Sequence, residues 1–221
     1  MTLIKSISGI RGTIGGPCGE ALTPVDIVKF TYAYCERLRR HAAPKRGRFK
    51  VVVGRDARIS GAMVEQLVCG TLVSCGVDVV RCGLASTPTT ELAGRFAGAD
   101  GDTIRTSGKL YEKLQDWALT LWTSTAPQEN SVLQNALKLL NSEGEFLSAA
   151  EGNEILEIAD SGDFNFASVD ELGHIEDHDF TDEHVDPVLA LEAVDADAVR
   201  KAGFTVVVDA INSVGALIMP R

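Results

Sequence analysis

The chain has 221 residues, 45% of them hydrophobic, with 31 Asp+Glu against 21 Lys+Arg and a formal net charge of −10. That length and apolar content suit one large domain, or one domain with part of another. They exclude a bilayer-spanning helix, because no apolar run reaches the roughly 18 residues such a helix needs. The start, MTLIKSISGIRG, lacks the apolar core of a secretory signal. Five cysteines (Cys18, Cys35, Cys69, Cys75, Cys82) form no C-x-x-C pair. They read as free, mostly buried thiols in a reducing compartment, so a cytoplasmic protein is expected. The charge is unevenly spread. Residues 1–138 hold 18 Lys+Arg against 12 Asp+Glu, whereas residues 139–199 hold 18 Asp+Glu and no Lys or Arg. The positive part suits an anionic ligand, and the acidic stretch reads as a solvated face or linker.

In chain order, SGIRGTIGG comes first, a glycine-rich loop with one guanidinium, Arg11. It is either a surface turn or an anion site built from backbone N–H groups and an arginine fork. Next, ALTPVDIVKFTYAYCERLRRH opens on Thr23-Pro24, a cap followed by proline at the first helical position. Ile27, Phe30, Thr31, Tyr34 and Leu38 recur at helical spacing, and the helix finishes on cations. KVVVG is a buried strand, SGAMVEQLVCGTLVSCG a second helix and VDVVRCG a second strand. This is a βαβ unit with a parallel pair and a right-handed crossover. Its strand-end loops, GRDARISG and GLASTPTTE, should open on the same sheet edge, where such folds bind ligands.

GRDARISG holds Arg55, Asp56 and Arg58, which reads either as an Arg–Asp brace or as forks for phosphate or carboxylate oxygens. STPTT reads as a rigid turn rich in hydroxyls. DGDTIR places Asp100 and Asp102 around a glycine; a plain turn is preferred over a cation loop, since no third carboxylate follows. WALTLWTS reads as a strand, and APQENSVLQNALKLLN as a loop into a helix or strand. SAAEGNEILEIADSG is a capped helix. His174, His178 and His184 lie among acids; on a helix the first two would share a face and could hold a metal, but the stretch reads as linker. His41 is the only histidine of the positive part, which speaks against a Ser-His-Asp hydrolase. VDADAVRKAGFTVVVDAINSVGALI reads as helix, turn, strand and helix start, a new α/β unit beginning near residue 186.

Five blocks in this order (SGIRG, VVVGRDARISG, GLASTPTTE, NALKLLNSEGEFLS and VDADAVRKAGFTVVVDAINSVGA) resemble the α-D-phosphohexomutase superfamily of phosphoglucomutases and phosphomannomutases. Together they cover residues 3–94 and 135–217. The resemblance implies a mixed-sheet α/β/α sandwich over residues 1–160, atypical over 95–134. An acidic linker at 161–185 and an incomplete second α/β unit at 186–221 would follow. It implies an intramolecular phosphotransferase of carbohydrate metabolism acting on hexose phosphates, with Mg2+ and a hexose bisphosphate activator. No nucleic acid or membrane partner is expected. The family's phosphoserine loop, T-A-S-H-N-P, has its nearest counterpart in W-T-S-T-A-P, where Ser124 precedes Pro127 as the family's serine precedes its proline. Thr125 and Ala126 replace the His and Asn. Ser107 is the second candidate.

On this resemblance Arg11 holds the phosphate, Arg55 and Arg58 add positive charge, and Lys138 and Asn135 match the family's pattern downstream. DGDTIR is similar to the family's magnesium loop but has Ile104 at a carboxylate position. The only metal ligand expected on this chain is therefore a phosphate oxygen of a phosphorylated Ser124. The chain alone is expected to be inactive and to self-associate through FTVVVDA. The alternative is a non-catalytic α/β module that binds a sugar phosphate or a partner.

Overall fold

The computed structural model describes residues 3–6, 9–42, 44, 47–97, 133–141, 145–210 and 212–221, and the backbone of 117–120. Helix α1 (Pro24–His41) starts at a capping box: the Asp26 N–H donates to the Thr23 hydroxyl, and the Thr23 N–H donates to the Asp26 carboxylate at 3.1 Å. Its stripe of Ile27, Phe30, Thr31, Tyr34 and Leu38 is buried. Strand β3 (Lys50–Arg55), helix α2 (Gly61–Ser74) and strand β4 (Asp78–Leu84) form the expected βαβ unit, parallel from Lys50 opposite Asp78 to Arg55 opposite Leu84.

STPTT differs from its sequence reading. Ser86 accepts a hydrogen bond from the Thr89 N–H at 3.2 Å and Pro88 lies in the first turn, so the segment opens helix α3 (Thr87–Phe96) instead of standing as a turn. Gly54 lets α3 seat on the sheet. A β-carbon there would lie 2.3 Å from the Thr90 hydroxyl oxygen.

Strands β1 (Ile4–Ser6), β2 (Gly9–Thr13), β5 (Trp117–Thr120), β6 (Gln134–Leu139) and β7 (Ile175–Asp177) complete one seven-stranded sheet in the order β1-β2-β6-β5-β3-β4-β7. Strands β5, β3, β4 and β7 are mutually parallel, and β6 runs against both β5 and β2. Helix α4 (Ala149–Ser161) has a Ser148–Glu151 capping box and ends at left-handed Gly162. The larger core joins Ile10, Val51, Val53, Leu137 and Leu139 to α1, α2 and α4. On the other face Val52, Val80 and Cys82 pack with Ala93 of α3 and with Phe180, which precedes α5 (Thr181–Leu189). Side chains alternate across each strand, so one sheet feeds two cores. The result is the expected mixed-sheet α/β/α sandwich.

Residues 161–185, read as linker, are structured against this sheet. They hold a 3-10 turn at Val169–Glu171 and β7, which pairs with β4 at Val79–Ile175. The Arg81 guanidinium grips Asp177 with bonds of 2.6 and 2.8 Å, and Phe180 is buried against Phe96. The acids face outward, so composition alone suggested a solvated tether. Further on, α6 (Ala196–Ala202) ends at left-handed Gly203, and α7 (Gly215–Ile218) closes the chain. FTVVVDA does not form the expected strand. No described strand lies beside it, and β geometry depends on a hydrogen-bonded neighbour.

Candidate functional site

The Gly9–Thr13 strand places Arg11 opposite Ala136 on β6, with Ile10 turned into the core on the other face. Lys138 lies two residues beyond Ala136 and therefore shares the face of Arg11. The turn from β1 into β2 needs Gly9. Its φ is +122°, and a β-carbon would lie 2.3 Å from the Leu137 carbonyl oxygen. A third cation arrives from the β3–α2 loop, where Arg58 Nη1 donates to the Gln134 carbonyl at 3.0 Å.

Asp56 aims that loop. Its carboxylate accepts the Arg58 N–H at 3.0 Å and pairs with Arg58 Nε at 3.3 Å. Arg55 takes another direction, pairing with Glu65 of α2 at 3.2 Å and donating to the Asp56 carbonyl at 3.1 Å. GRDAR thus combines a brace, made by Arg55 and Asp56, with a cation, Arg58, offered at the edge. The structure brings together Arg11, Arg58 and Lys138, and turns Arg55 into the scaffold.

Among the described residues the Arg11 side chain has no hydrogen bond and no ion pair, and it lines a pocket of about 90 Å³ with Ile4, Ser6, Gly9 and Ala136. Its charge is felt nearby. Burial pushes the Lys138 ammonium below the usual lysine range; Arg11 adds to the shift and Glu91 of α3 opposes it. Burial likewise lowers the proton affinity of Arg58, with Asp56 opposing and Arg11 adding. The Asp56 carboxyl is raised by burial against the lowering effects of the Arg58 N–H and the Arg58 and Arg55 charges. Arg11 is thus felt by both Arg58 and Lys138, and an anion beside Arg11 would relieve that repulsion. Lys138 Nζ also lies 4.9 Å from the Phe146 ring centroid.

Asn135 is buried behind this edge. It donates to the Ser60 hydroxyl at 2.9 Å and accepts the Ala136 N–H at 2.8 Å, tying the start of β6 to the start of α2. Glu91 and Phe146 lie inside motifs visible in the sequence, but it is the packing of α3 on the sheet and the bridge of Phe146 to Leu140 that place them near Lys138.

The histidines are dispersed. His178 pairs with Glu183 at 2.6 Å, His184 hydrogen-bonds the Thr89 hydroxyl at 2.9 Å, and His41 contacts Glu154 at 2.8 Å. Strand β7 separates His174 from His178, so the pair shares no helix face. Among the described residues no three of His, Cys, Asp or Glu gather to hold a metal ion. The described part of the site therefore offers cationic side chains and does not fit a magnesium cage. Ser124 falls in the connection between β5 and β6, outside the described residues, as do Ser107, Asp100 and Asp102.

The family model described as phosphoglucomutase/phosphomannomutase, alpha/beta/alpha domain I, matches residues 3–107. A phosphoglucomutase/phosphomannomutase of Thermococcus kodakarensis is 31% identical over 211 residues, 95% of this chain and 41% of its own length. The chain belongs to the phosphohexomutase superfamily. It corresponds to the N-terminal region of that superfamily. A phosphoglucosamine/phosphogalactosamine mutase of Sulfurisphaera tokodaii is 27% identical over 96% of this chain and 40% of its own length. Among solved structures, a putative phosphomannomutase from Thermus thermophilus superposes with a TM-score of 0.65 at 21% identity, over 94% of this chain and 39% of the other. That likeness concerns the fold. The chain spans about two fifths of the length of these relatives. Among its described residues no helix is long and apolar enough to cross a membrane.

Proposed function

We propose that this chain is the phosphoacceptor portion of a phosphoglucomutase/phosphomannomutase-like intramolecular phosphotransferase acting on hexose phosphates in the cytoplasm. The observation that carries the reading is Arg11, a guanidinium with no partner among the described residues, set beside Arg58 and Lys138. In phosphoryl transfer the protein acts mainly by positioning and by neutralising charge on the moving group. Ser124 would carry the phosphoryl group. Its Oγ–P bond would break as a sugar hydroxyl oxygen bonds to phosphorus, and the hydroxyl proton would pass to a base. The resulting hexose bisphosphate would return its other phosphoryl group to Ser124 Oγ. Arg11 and Arg58 would hold the phosphoryl oxygens, and Lys138 would donate a hydrogen bond to them.

A non-catalytic sugar-phosphate module is kept as a second reading because W-T-S-T-A-P lacks the His and Asn of the family's serine loop. Incubation with glucose 1,6-bisphosphate followed by intact mass and peptide mapping separates the two. One phosphoryl group on Ser124 supports transfer. Binding without any phosphoryl adduct supports the module, and phosphate on Ser107 overturns the assignment of Ser124.

A further inference from the structure

We propose that Phe146 is a positioning residue whose ring holds the Lys138 ammonium at the Arg11 edge, ready to donate to phosphoryl oxygens of a ligand. The inference rests on the phosphate reading of that edge and adds to it a residue that bears no charge. Phe146 is 44% exposed and belongs to neither core of the sheet. Its neighbours do the burying: Leu140 is fully buried, and Leu147 lies in the larger core. Single exposed apolar side chains are ordinary. What sets Phe146 apart is the cation beside it. Lys138 Nζ stands 4.9 Å from its ring centroid, within the roughly 6 Å over which a ring face attracts a cation. Lys5 and Lys29 lie farther from the ring of Phe30, at 5.5 and 5.9 Å.

The backbone delivers the ring. Phe146 bridges antiparallel to Leu140, and residues directly opposite share a face. Lys138 precedes Leu140 by two residues and therefore shares that face. The Asn141 N–H donates to the Glu145 carbonyl at 2.9 Å, and the Glu145 N–H donates to the Asn141 side-chain oxygen at 3.0 Å. On the other side of Phe146, Leu147 is anchored in the core and Ser148 caps α4. The ring is thus fixed from both directions along the chain. A lysine on a flexible stem loses rotamer freedom when it docks a ligand, and one already held over a ring has lost part of it beforehand. The ring face also favours the ammonium over the neutral amine. Burial and Arg11 of β2 press Lys138 the other way, and Glu91 of α3 opposes them. A second carboxylate would do the same as the ring but would repel a phosphate; a neutral ring does not.

The test compares the full chain with Phe146→Leu, which stays apolar but loses the ring, and with Phe146→Tyr, which keeps it. Competitive acylation from pH 7 to pH 10, read peptide by peptide by mass spectrometry, gives the titration of Lys138 without ligand. Phe146→Leu should lower it by roughly 0.3–0.7 pH units, the equivalent of one exposed cation–π contact, and Phe146→Tyr should match the wild type. Glucose 1,6-bisphosphate should bind Phe146→Leu about twofold to fivefold more weakly than the wild type, and Phe146→Tyr equally well. With Lys138→Met already in place, adding Phe146→Leu should change binding no further. An unmoved Lys138 titration in Phe146→Leu overturns the proposal. So does an equal loss of affinity with and without Lys138, which would make Phe146 a packing residue. The two readings fail differently. A wild type that binds no bisphosphate overturns the phosphate reading and this proposal with it. A wild type that binds, matched by Phe146→Leu, overturns this proposal alone.

Discussion

Arg11 and Lys138 share one face of the β2–β6 ladder, and the charge of Arg11 helps burial to hold Lys138 below the usual lysine range. Folding has gathered like charges at a sheet edge instead of spreading them. Asp56 pairs with Arg58 and Glu91 acts on Lys138, which leaves Arg11 as the charge that a bound anion would offset. The scaffold that fixes these cations is built from neutral or paired groups: Gly9, Asn135 and the Arg55–Glu65 brace. The following predictions address scaffold, surface and site in turn.

Gly54→Ala should lower stability by about 1–3 kcal/mol, the usual cost of overpacking. The new methyl would meet the Thr90 side chain, 2.3 Å away at the hydroxyl and 3.0 Å at the methyl. Adding Thr90→Ala should recover part of the loss in urea unfolding. If Gly54→Ala alone unfolds at the wild-type midpoint, α3 does not seat on β3 as described.

The α1–α4 contact should make stability depend on acid. Burial raises the Glu151 carboxyl, but the Ser148 N–H and hydroxyl and the Arg37 guanidinium, 2.6 Å away, outweigh it and leave the group lowered. A carboxyl depressed in the folded state contributes fully above its unfolded value, roughly 4.3. That contribution is lost as pH falls through the folded value. Urea midpoints at pH 7 and pH 3.5 should therefore differ more for the wild type than for Glu151→Gln. Equal differences would show that Glu151 carries none of the effect.

Thiol labelling should be graded. In the native chain a maleimide or disulfide reagent at pH 8 should modify Cys18, the exposed cysteine, quickly. Cys69 and Cys82, buried and pushed up to about 12, should react only after denaturation. Fast native labelling of Cys69 or Cys82 would contradict the packing of α2 and β4.

Residues 204–208 should drive self-association. Phe204, Val206 and Val207 are 73%, 74% and 92% exposed, and the segment pairs with no described strand. Light scattering should show mass rising with concentration, and Val206→Lys with Val207→Lys should suppress the rise. A concentration-independent monomer in the wild type would count against this.

Much of the architecture was legible because it rests on local patterns. The Thr23-Pro24 cap, the β-branched run VVV and the helix ending before Gly76 announce α1, β3 and α2 without long-range information. The reading failed where partners decide the outcome. FTVVVDA has strand composition, but no described neighbour supplies the ladder. The acid-rich stretch around β7 has tether composition, yet Phe180 and the Arg81–Asp177 fork dock it on the sheet. For the site, the motifs mark Arg11 and Arg58 and the resemblance adds Lys138, whereas nothing in the loop sequence shows Arg55 turning toward Glu65. Which way an arginine points depends on an acid ten residues away on the next helix, and loop sequence does not carry that.

The central claim is that Arg11 anchors a phosphate at this edge. Isothermal titration of glucose 1,6-bisphosphate into the full chain and into Arg11→Ala, at low ionic strength and with folding checked by circular dichroism, tests it most directly. Loss of charge-assisted hydrogen bonds worth about 1.5–3 kcal/mol should weaken binding roughly tenfold to a hundredfold. Wild-type affinity in a folded Arg11→Ala variant would contradict the account.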